Sequence, residues 1–416
     1  MTAEPAPGIL PLRQPVDWRR NLAALWLAEF TAIFGFSFAF PFLPLFLHRD
    51  LGIPNGPKLA LWTGVAASVT GFALAITSPI WGMLADRYGR KPMLVRAMIG
   101  GGVSVGLIGL VRTVQELTLL RVVQGATSGT VAAATALVAG ETPLAEIGWA
   151  LGILSSSIAL GSAIGPAAGG VAANLVGLRA TFIAGGVLLL VAAVPVMLVV
   201  RESAPAAGHR LRPRPLAGLR AAGPGTLAAV SILIVAQVLL QASYTAAQQL
   251  VVLRLLQFDP GAASTVTGAA FAAGGIATAI AGVTYARLLR RTGYRLLAGT
   301  AAFLMAAAIA AAAAAPNLAL EVAAFVLASL LFGALIPAFG AMIGLQTPSQ
   351  VQASVFGFSS SAVALGFGIG PLSGGLIASK AGVGTALTAA AAVALVLAGL
   401  VALAVREPQV PADRRP

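Results

Sequence analysis

The stretch GSAIGPAAGG at residues 161–170 recurs 205 residues later as GFGIGPLSGG at residues 366–375. Six positions keep their identity and order in the two copies. Each copy lies within a long apolar run, where proline removes a backbone donor and glycine lets another helix approach closely. A pattern repeated so far apart predicts a chain built from two similar halves.

The composition around these copies is that of a membrane protein. Of the 416 residues, 58% are hydrophobic and 9% are charged, whereas a soluble domain carries about 25% charged residues. An apolar run of about 18 residues or more can cross the roughly 30 Å hydrocarbon core as a helix. We predict an all-α membrane protein with twelve transmembrane helices, at residues 21–47, 59–84, 93–111, 116–139, 149–174, 179–200, 226–251, 262–286, 296–315, 318–343, 353–378 and 384–405.

The positive charges predict the orientation. If the N-terminus is cytoplasmic, eighteen Lys and Arg residues fall on the cytoplasmic side and six on the other side. This bias is typical of cytoplasmic loops, so we expect both termini in the cytoplasm. The net charge of +13 then reflects topology, and we expect no nucleic-acid partner.

Residue types needed for several other functions are scarce. The chain has no cysteine, and its two histidines, His48 and His209, lie in different predicted loops, so we expect no metal site. The N-terminal stretch lacks the pattern of a cleaved signal peptide. We find no Gly-rich phosphate-binding sequence ending in Gly-Lys-Ser/Thr, no paired carboxylates and no nucleophile–base constellation. An enzyme is therefore not expected.

A Pro-, Gly- and Arg-rich stretch after the sixth helix divides the chain. It is a predicted cytoplasmic linker at 201–225 between six-helix bundles at 21–200 and 226–405, with tails at 1–20 and 406–416. The halves also align outside the glycine copies, since ETPLAEIGWALGILSSS at 141–157 matches QTPSQVQASVFGFSSSA at 346–362. Two pseudo-symmetric bundles with a site between them near the midplane are a recurrent transporter plan.

Three motifs carry a family resemblance. GMLADRYGRKPML at 82–94 matches, almost position for position, the signature between helices 2 and 3 of the major facilitator superfamily. LLRVVQG at 119–125 resembles its helix-4 signature, and GSAIGPAAGG resembles the helix-5 signature associated with antiporters. The chain is thus similar, over nearly its whole length, to bacterial twelve-helix drug:proton antiporters. The resemblance implies alternating access driven by the proton gradient, without a cofactor.

The resemblance implies a conformational latch between helices 2 and 3. Its expected members are Gly82, Asp86, Arg87, Gly89, Arg90 and Lys91. We expect Asp86 just before helix 3, where an acid suits a helix N-terminus, and holding the halves together with Arg90 when the site faces outward. Arg290 stands at the matching point of the second half, so the latch is expected to be asymmetric. The alternative is a basic loop that only fixes topology.

The two glycine–proline copies are expected to pack helices 5 and 11 tightly at the interface between the halves. The residues concerned are Gly161, Gly165, Pro166, Gly169, Gly170, Gly366, Gly370, Pro371, Gly374 and Gly375.

Arg121 lies inside helix 4, where a charge is expected to face the bundle interior or water. The resemblance implies a part in proton coupling, and the alternative is a guanidinium that snorkels or binds backbone carbonyls. Arg96, one turn into helix 3, is expected to snorkel to the surface. A small and polar stripe is predicted to follow Arg121 on the same face, at Gly125, Ser128, Ala132 and Thr135.

Glu29 is the main candidate for the proton site. It lies well inside helix 1, where a low dielectric favours the protonated form of a carboxyl group and allows reversible protonation. Some drug antiporters place an acid twelve residues before a helix-1 proline, as Glu29 precedes Pro41. The alternative is an acid satisfied by a neighbouring helix. Four apolar residues share its face and predict a surface for lipophilic cations, namely Trp26, Ile33, Phe36 and Phe40.

Helix 7 carries a polar stripe at helical spacing. It is predicted to line a large amphipathic substrate cavity opposite Glu29, although hydrogen bonding between helices is the alternative. Its members are Gln237, Gln241, Tyr244 and Gln248.

These observations lead to one expected function with one close alternative. We expect a multi-pass protein of the bacterial inner membrane that exports lipophilic or amphipathic drugs by proton antiport. Its expected partners are small-molecule substrates, protons and the lipid bilayer, and we expect a monomer. The alternative is a superfamily member with a narrow substrate, such as a sugar, peptide, siderophore or metabolite, moved outward or by proton-coupled uptake.

Overall fold

The structure is a computed structural model that describes residues 17–143, 145–203, 224–347 and 352–407. Within these ranges, twelve helical spans are long and apolar enough to cross a membrane. The predicted all-α fold with twelve spans is confirmed. Most of the predicted tails and most of the linker lie outside the described residues.

The first half begins at Trp18, where the Asp17 side chain accepts hydrogen bonds from the first free amides of the helix. Its first span changes to a 3-10 turn at Phe40–Phe42, because Pro41 cannot donate a backbone hydrogen bond. The helices are α1 (Trp18–Ala39), α2 (Leu43–Arg49), α3 (Pro57–Tyr88), α4 (Arg90–Ile108), α5 (Val114–Thr127), α6 (Thr130–Glu141), α7 (Ile147–Leu175) and α8 (Gly177–Leu198).

The second half repeats this arrangement with six uninterrupted helices. They are α9 (Pro224–Phe258), α10 (Ala263–Thr292), α11 (Tyr294–Ala313), α12 (Leu318–Gln346), α13 (Gln352–Ala381) and α14 (Val383–Ala404). In the first half, by contrast, one span is formed by α1 and α2, and another by α5 and α6.

The connection between the second and third spans is shorter than predicted. Helix α3 continues to Tyr88, and the chain turns at the single residue Gly89, whose φ of 99° favours glycine. Asp86 is therefore in the last turn of α3, and its expected place before the next helix is wrong. The amides of Arg90 and Lys91 at the start of α4 instead donate to the Glu202 carboxylate, at 2.7 and 2.9 Å.

The two halves meet at the end of the molecule away from Asp17 and Glu407. Asn174 donates to Thr265 at 2.7 Å and accepts from Ser264 at 2.5 Å. Arg49 donates to the Pro260 carbonyl. Among the described residues, the side-chain hydrogen bonds that join the halves all lie at this end.

Towards the other end, the helices that cross between the halves no longer touch at their glycines. A Cβ atom added to Gly82 of α3, Gly152 of α7 or Gly357 of α13 would meet no other atom within 4 Å. The bundle is thus closed at one end and open at the end where α1 begins and α14 terminates.

Candidate transport site

The glycine–proline copies face two different neighbours. A Cβ atom on Gly161 of α7 would lie 2.9 Å from the Phe34 nitrogen of α1, and one on Gly366 of α13 would lie 3.1 Å from the Ala242 nitrogen of α9. Six glycines contact the first helix of their own half in this way, so their expected place between the halves is wrong. They are Gly161, Gly165, Gly169, Gly366, Gly370 and Gly374.

The remaining members of each copy do lie between the halves. A Cβ atom on Gly170 would lie 3.2 Å from the Gly268 Cα atom of α10, and Gly268 in turn faces the Pro166 carbonyl at 2.8 Å. In the second copy, a Cβ atom on Gly375 would lie 2.8 Å from the Gly64 Cα atom of α3, and Gly64 faces the Pro371 carbonyl at 2.6 Å. Each copy therefore contributes a contact of two glycines to its interface.

The same contacts show which residues correspond in the two halves. Gly161 faces the Phe30 carbonyl, and its counterpart Gly366 faces the Val238 carbonyl, an offset of 208 along the first helices. Thr70 donates to the Arg121 carbonyl and Thr278 to the Ser329 carbonyl, both at 2.9 Å, which again gives 208. Gln237 is thus the counterpart of Glu29, and Ser329 is the counterpart of Arg121.

Glu29 is completely buried on the inner face of α1, with 0% exposure. Neither carboxylate oxygen has a hydrogen-bond partner, and the side chain of Thr130 lies close enough to interact with it. Since α1 begins at Trp18, Glu29 is about 17 Å from that end at 1.5 Å per residue. The expectation that Glu29 faces an open cavity is wrong in this conformation, because the acid is sealed inside the first half.

Aromatic residues of the first span stack on one another. Trp26 stacks on Phe30 with ring centres 5.5 Å apart, and its indole nitrogen donates to Ser156 of α7 at 3.0 Å. Phe36 stacks on Phe40 at 4.7 Å. Trp26, Phe36 and Phe40 are half-buried, as is the predicted cavity residue Ile33.

Arg121 is buried next to Phe40, at the other end of the face of the first span that carries Glu29. Its Nε donates to the Ala66 carbonyl at 2.9 Å, another guanidinium nitrogen donates to Gln124 at 2.6 Å, and the group lies 3.8 Å from the Phe40 ring centre. No carboxylate of the described residues pairs with it. The backbone-binding alternative is thus realised in this conformation. Phe40 follows Glu29 by eleven residues, so the Glu29 carboxyl group and the Arg121 guanidinium are about 17 Å apart along the first span.

The fourth span is interrupted between Arg121 and the cytoplasmic end predicted for it. Helix α5 ends at Thr127, and α6 begins at Thr130 after Gly129, whose φ is 124°. The predicted stripe from Gly125 to Thr135 is therefore not one continuous face. Sequence reasoning missed the break, although the Ser128-Gly129 dipeptide is a turn signal.

Arg96 lies at this interruption rather than at the surface. Its guanidinium stacks 3.5 Å from the Trp81 ring centre and donates to the Ser128 carbonyl at 3.4 Å. The Trp81 indole donates to the Ala126 carbonyl at 2.6 Å. The expected snorkelling of Arg96 is wrong, because its charge is directed to the carbonyl end of α5.

The polar stripe of the seventh span is mostly engaged within the second half. Tyr244 is buried, donates to Ser329 of α12 at 3.0 Å and stacks on Phe332 at 3.8 Å. Gln237 accepts from Ser359 of α13 at 2.6 Å. Gln241 is buried and Gln248 is half-buried. Hydrogen bonding between helices thus accounts for Gln237 and Tyr244 in this conformation.

The expected latch residues are not joined to the second half in this conformation. Asp86 and Arg87 are exposed, and Arg90 donates to the Ala136 carbonyl of α6. The Lys91 ammonium donates to the Val200 carbonyl at 2.7 Å. The side chain of Arg290 lies outside the described residues. Gly82 is exposed and Gly89 is the turn described above.

Two further charged arrangements were missed by sequence reasoning. Glu321 of α12 is fully buried and pairs with Arg254 of α9 at 3.6 Å. Glu407 accepts from the amides of Tyr294 and Arg295 at 2.7 and 2.8 Å, as Glu202 does in the first half. The tripeptide Val-Arg-Glu occurs at 200–202 and again at 405–407, and this repeat could have identified the matching roles of Glu202 and Glu407.

Comparisons with known proteins agree with this architecture. The family model of the Major Facilitator Superfamily matches residues 25–247 and 232–416. The nucleoside transporter NupG superimposes with a TM-score of 0.75 at 15% identity, covering 91% of this chain and 98% of that one. The human organic anion transporter MFSD10 gives 0.69 at 19% identity, covering 93% and 100%. At these identities the likeness concerns the fold alone.

Relatives with closer sequences are bacterial. The multidrug resistance protein MdtG of Proteus mirabilis is 41% identical over 187 residues, which is 45% of this chain and 46% of the relative. MdtG of Escherichia coli O1:K1 is 39% identical over 188 residues, again 45% and 46%. The chain thus spans about half the length of the relatives it matches.

Proposed function

Because the chain belongs to the major facilitator superfamily, we propose that it exports lipophilic or amphipathic drugs across the bacterial inner membrane by proton antiport. The names of the MdtG relatives favour multidrug export over a narrow substrate. Both termini are proposed to lie in the cytoplasm, which makes the open end cytoplasmic and this conformation inward-facing.

The observation that carries proton coupling is the unpaired, fully buried Glu29. Titratable residues inside a membrane domain are costly and mark proton routes when they are retained. Among the described residues of the spans, the other completely buried acid, Glu321, already has Arg254 as its partner. Glu29 is therefore the group whose protonation state is free to change during a cycle.

Substrate and proton then do not compete for direct contact with the Glu29 carboxylate. They compete because each favours a different position of α1. Drug enters from the open end and lies against residues of the first and seventh spans, of which Gln241 and Tyr244 are buried in this conformation and the others half-buried. The proposed cavity set is Trp26, Ile33, Phe36, Phe40, Gln237, Gln241, Tyr244 and Gln248. Arg121 anchors the far end of this face through Phe40. When the open end closes, Asp86 and Arg90 form the proposed latch.

The test is ethidium efflux from cells that lack their own pumps. Cells expressing this chain are expected to extrude the dye, and a protonophore is expected to stop the extrusion. Glu29→Gln keeps the size of the side chain but cannot exchange a proton, so uphill export should be lost. Glu146→Gln, outside the spans at the start of α7, is the matched control and should export normally.

Two results would contradict this function. Unchanged, protonophore-sensitive export by Glu29→Gln would remove Glu29 from the coupling mechanism. Absence of dye movement with the protein present in the membrane would favour an exporter with a narrow substrate.

A further inference from the structure

We propose that the interruption of the fourth span at Ser128–Gly129 builds a receiving site for the Glu29 carboxylate, formed by Thr130 and the free amides at the start of α6. The inference rests on the proposed function, since it explains how a sealed acid can release its proton. It makes Gly129 and Thr130 positioning residues for the proton site.

The first observation is the uncapped start of α6. The first amides of a helix have no partner within the helix, and their aligned dipoles amount to about half a positive charge. Gly129 precedes this helix and has no side chain to cap it. Helix α6 has twelve residues, long enough for such a terminus to be well formed.

The second observation is the acid itself. Glu29 is fully buried, neither of its oxygens has a hydrogen-bond partner, and the side chain of Thr130, the first residue of α6, lies close enough to interact with it. The depths also match. Glu29 is the twelfth residue of α1, and Thr130 is the twelfth residue from the end of α6, so each is about 17 Å from the same end of the bundle.

The charges around the break have the arrangement that this role requires. Arg96 is directed to the carbonyl end of α5, which is the negative end of that helix, while Glu29 faces the positive end of α6. Helix α7 contains no charged residue. In α8 the charged residue is Arg179, which pairs with Asp50 at the closed end, and in α6 it is Glu141, which accepts from Ser203 at the open end.

The second half provides an internal comparison. The offset of 208 makes Gln237 the counterpart of Glu29 and Pro337 and Ala338 the counterparts of Gly129 and Thr130. Helix α12 runs without interruption from Leu318 to Gln346. The half without the acid thus also lacks both the break and the hydroxyl, so the acid and its receiving site occur together.

Two states of Glu29 follow from this geometry. Protonated, the acid is neutral and can remain buried without partners, which is compatible with the burial seen here. Ionised, it would be too costly to bury without hydrogen bonds, and the Thr130 hydroxyl and the α6 amides supply them. Thr130 itself is half-buried, so part of this residue is accessible, whereas Glu29 is not.

The test follows the infrared C=O band of protonated carboxylic acid during a pH titration of the full chain in lipid vesicles. The difference between the wild type and Glu29→Gln isolates the Glu29 band. In Thr130→Val the carboxylate loses one hydrogen bond, so the midpoint of the titration should move up by about one pH unit. Thr130→Ser retains the hydroxyl and should keep the wild-type midpoint.

Gly129→Ala tests the break by a different route. Alanine disfavours a φ of 124°, although its Cβ atom would meet nothing within 4 Å. The variant should therefore raise the midpoint by straightening the span, and the pH optimum of export should move with it. Gly152→Ala, in regular helix with equal space around it, is the matched control and should change neither.

The outcomes separate the inference from the function. Wild-type midpoints in Thr130→Val and Gly129→Ala, together with lost export in Glu29→Gln, would overturn the receiving site and leave proton coupling intact. A Glu29 band that does not respond to pH, together with normal export by Glu29→Gln, would overturn the proposed function. If Gly129→Ala does not insert, the valine and serine variants of Thr130 decide the question.

Discussion

Gly375→Ala should open the closed end of the bundle. The added Cβ atom would lie 2.7 Å from the Ala60 carbonyl oxygen and 2.8 Å from the Gly64 Cα atom. Both are backbone atoms of α3, so no side chain can turn away. An ordinary contact begins near 3.4 Å, and α13 must therefore withdraw from α3 by about 0.7 Å, which is the difference between that distance and the shorter of the two contacts.

This strain acts on one conformation only. Overpacking of this size costs about 1–3 kcal/mol, which corresponds to a shift of roughly 5- to 150-fold between the two conformations. The conformation that separates α13 from α3 at this end does not pay the cost, so its population should rise.

Distances between spin labels can measure this shift. The chain has no native cysteine, so cysteines at exposed Lys58 and Gln257 report the closed end without background labelling, and a pair at Tyr88 and Leu288 reports the open end. Gly375→Ala should lengthen the first distance and shorten the second. Gly357→Ala, whose Cβ atom meets nothing within 4 Å, should leave both unchanged. Unaltered distributions in Gly375→Ala would refute the view that this glycine contact closes the bundle.

Two further predictions concern stability, measured by thermal unfolding in detergent with circular dichroism. Arg254→Met leaves the buried Glu321 without a partner and should lower the free energy of unfolding by about 3–5 kcal/mol; adding Glu321→Gln should recover most of the loss, and no recovery would show that the pair is not the cause. Glu202→Gln removes the negative charge at the start of α4 and should cost about 1 kcal/mol. Glu407→Gln should cost a similar amount and add to it, because the two sites lie in different halves; strong non-additivity would contradict independent helix caps.

The fold was largely predictable because local composition determines it. Each span is a long apolar run, and no irregular backbone can face lipid, so the runs had to be helices. The glycine–proline pattern occurs twice, 205 residues apart, and this repetition predicted two similar halves. The neighbour of each glycine in the pattern was not predictable, since spacing alone does not show that Gly165 faces its own half and Gly170 faces the other half.

The candidate site was predictable only in part. Glu29 and Arg121 stand out because charges inside apolar runs are rare. Their surroundings depend on residues far along the chain, such as Ala66 for Arg121 and Thr130 for Glu29. The break at Gly129 also depends on tertiary contacts, including the hydrogen bond from Trp81 to the Ala126 carbonyl. From the sequence alone, a continuous helical stripe from Gly125 to Thr135 is expected.

The two halves differ at the position of Glu29, and the correspondence between them shows what this difference can do. With the offset of 208, the polar stripe of α9 occupies the same surface in the second half as the stripe of Glu29, Ile33, Phe36 and Phe40 does in the first. At the leading position one half has a carboxyl group and the other has the amide Gln237, which has the same shape but cannot exchange a proton near neutral pH. A change in protonation therefore alters the internal energy of one half and not of the other. Gly161, Gly165 and Gly169 hold α7 close to α1, and Gly170 and Gly268 hold α7 close to α10. A change in the packing of α1 would therefore reach the interface between the halves through α7. The repeated pattern thus connects the helix that carries Glu29 to the interface, which is why both of its faces must remain free of side chains.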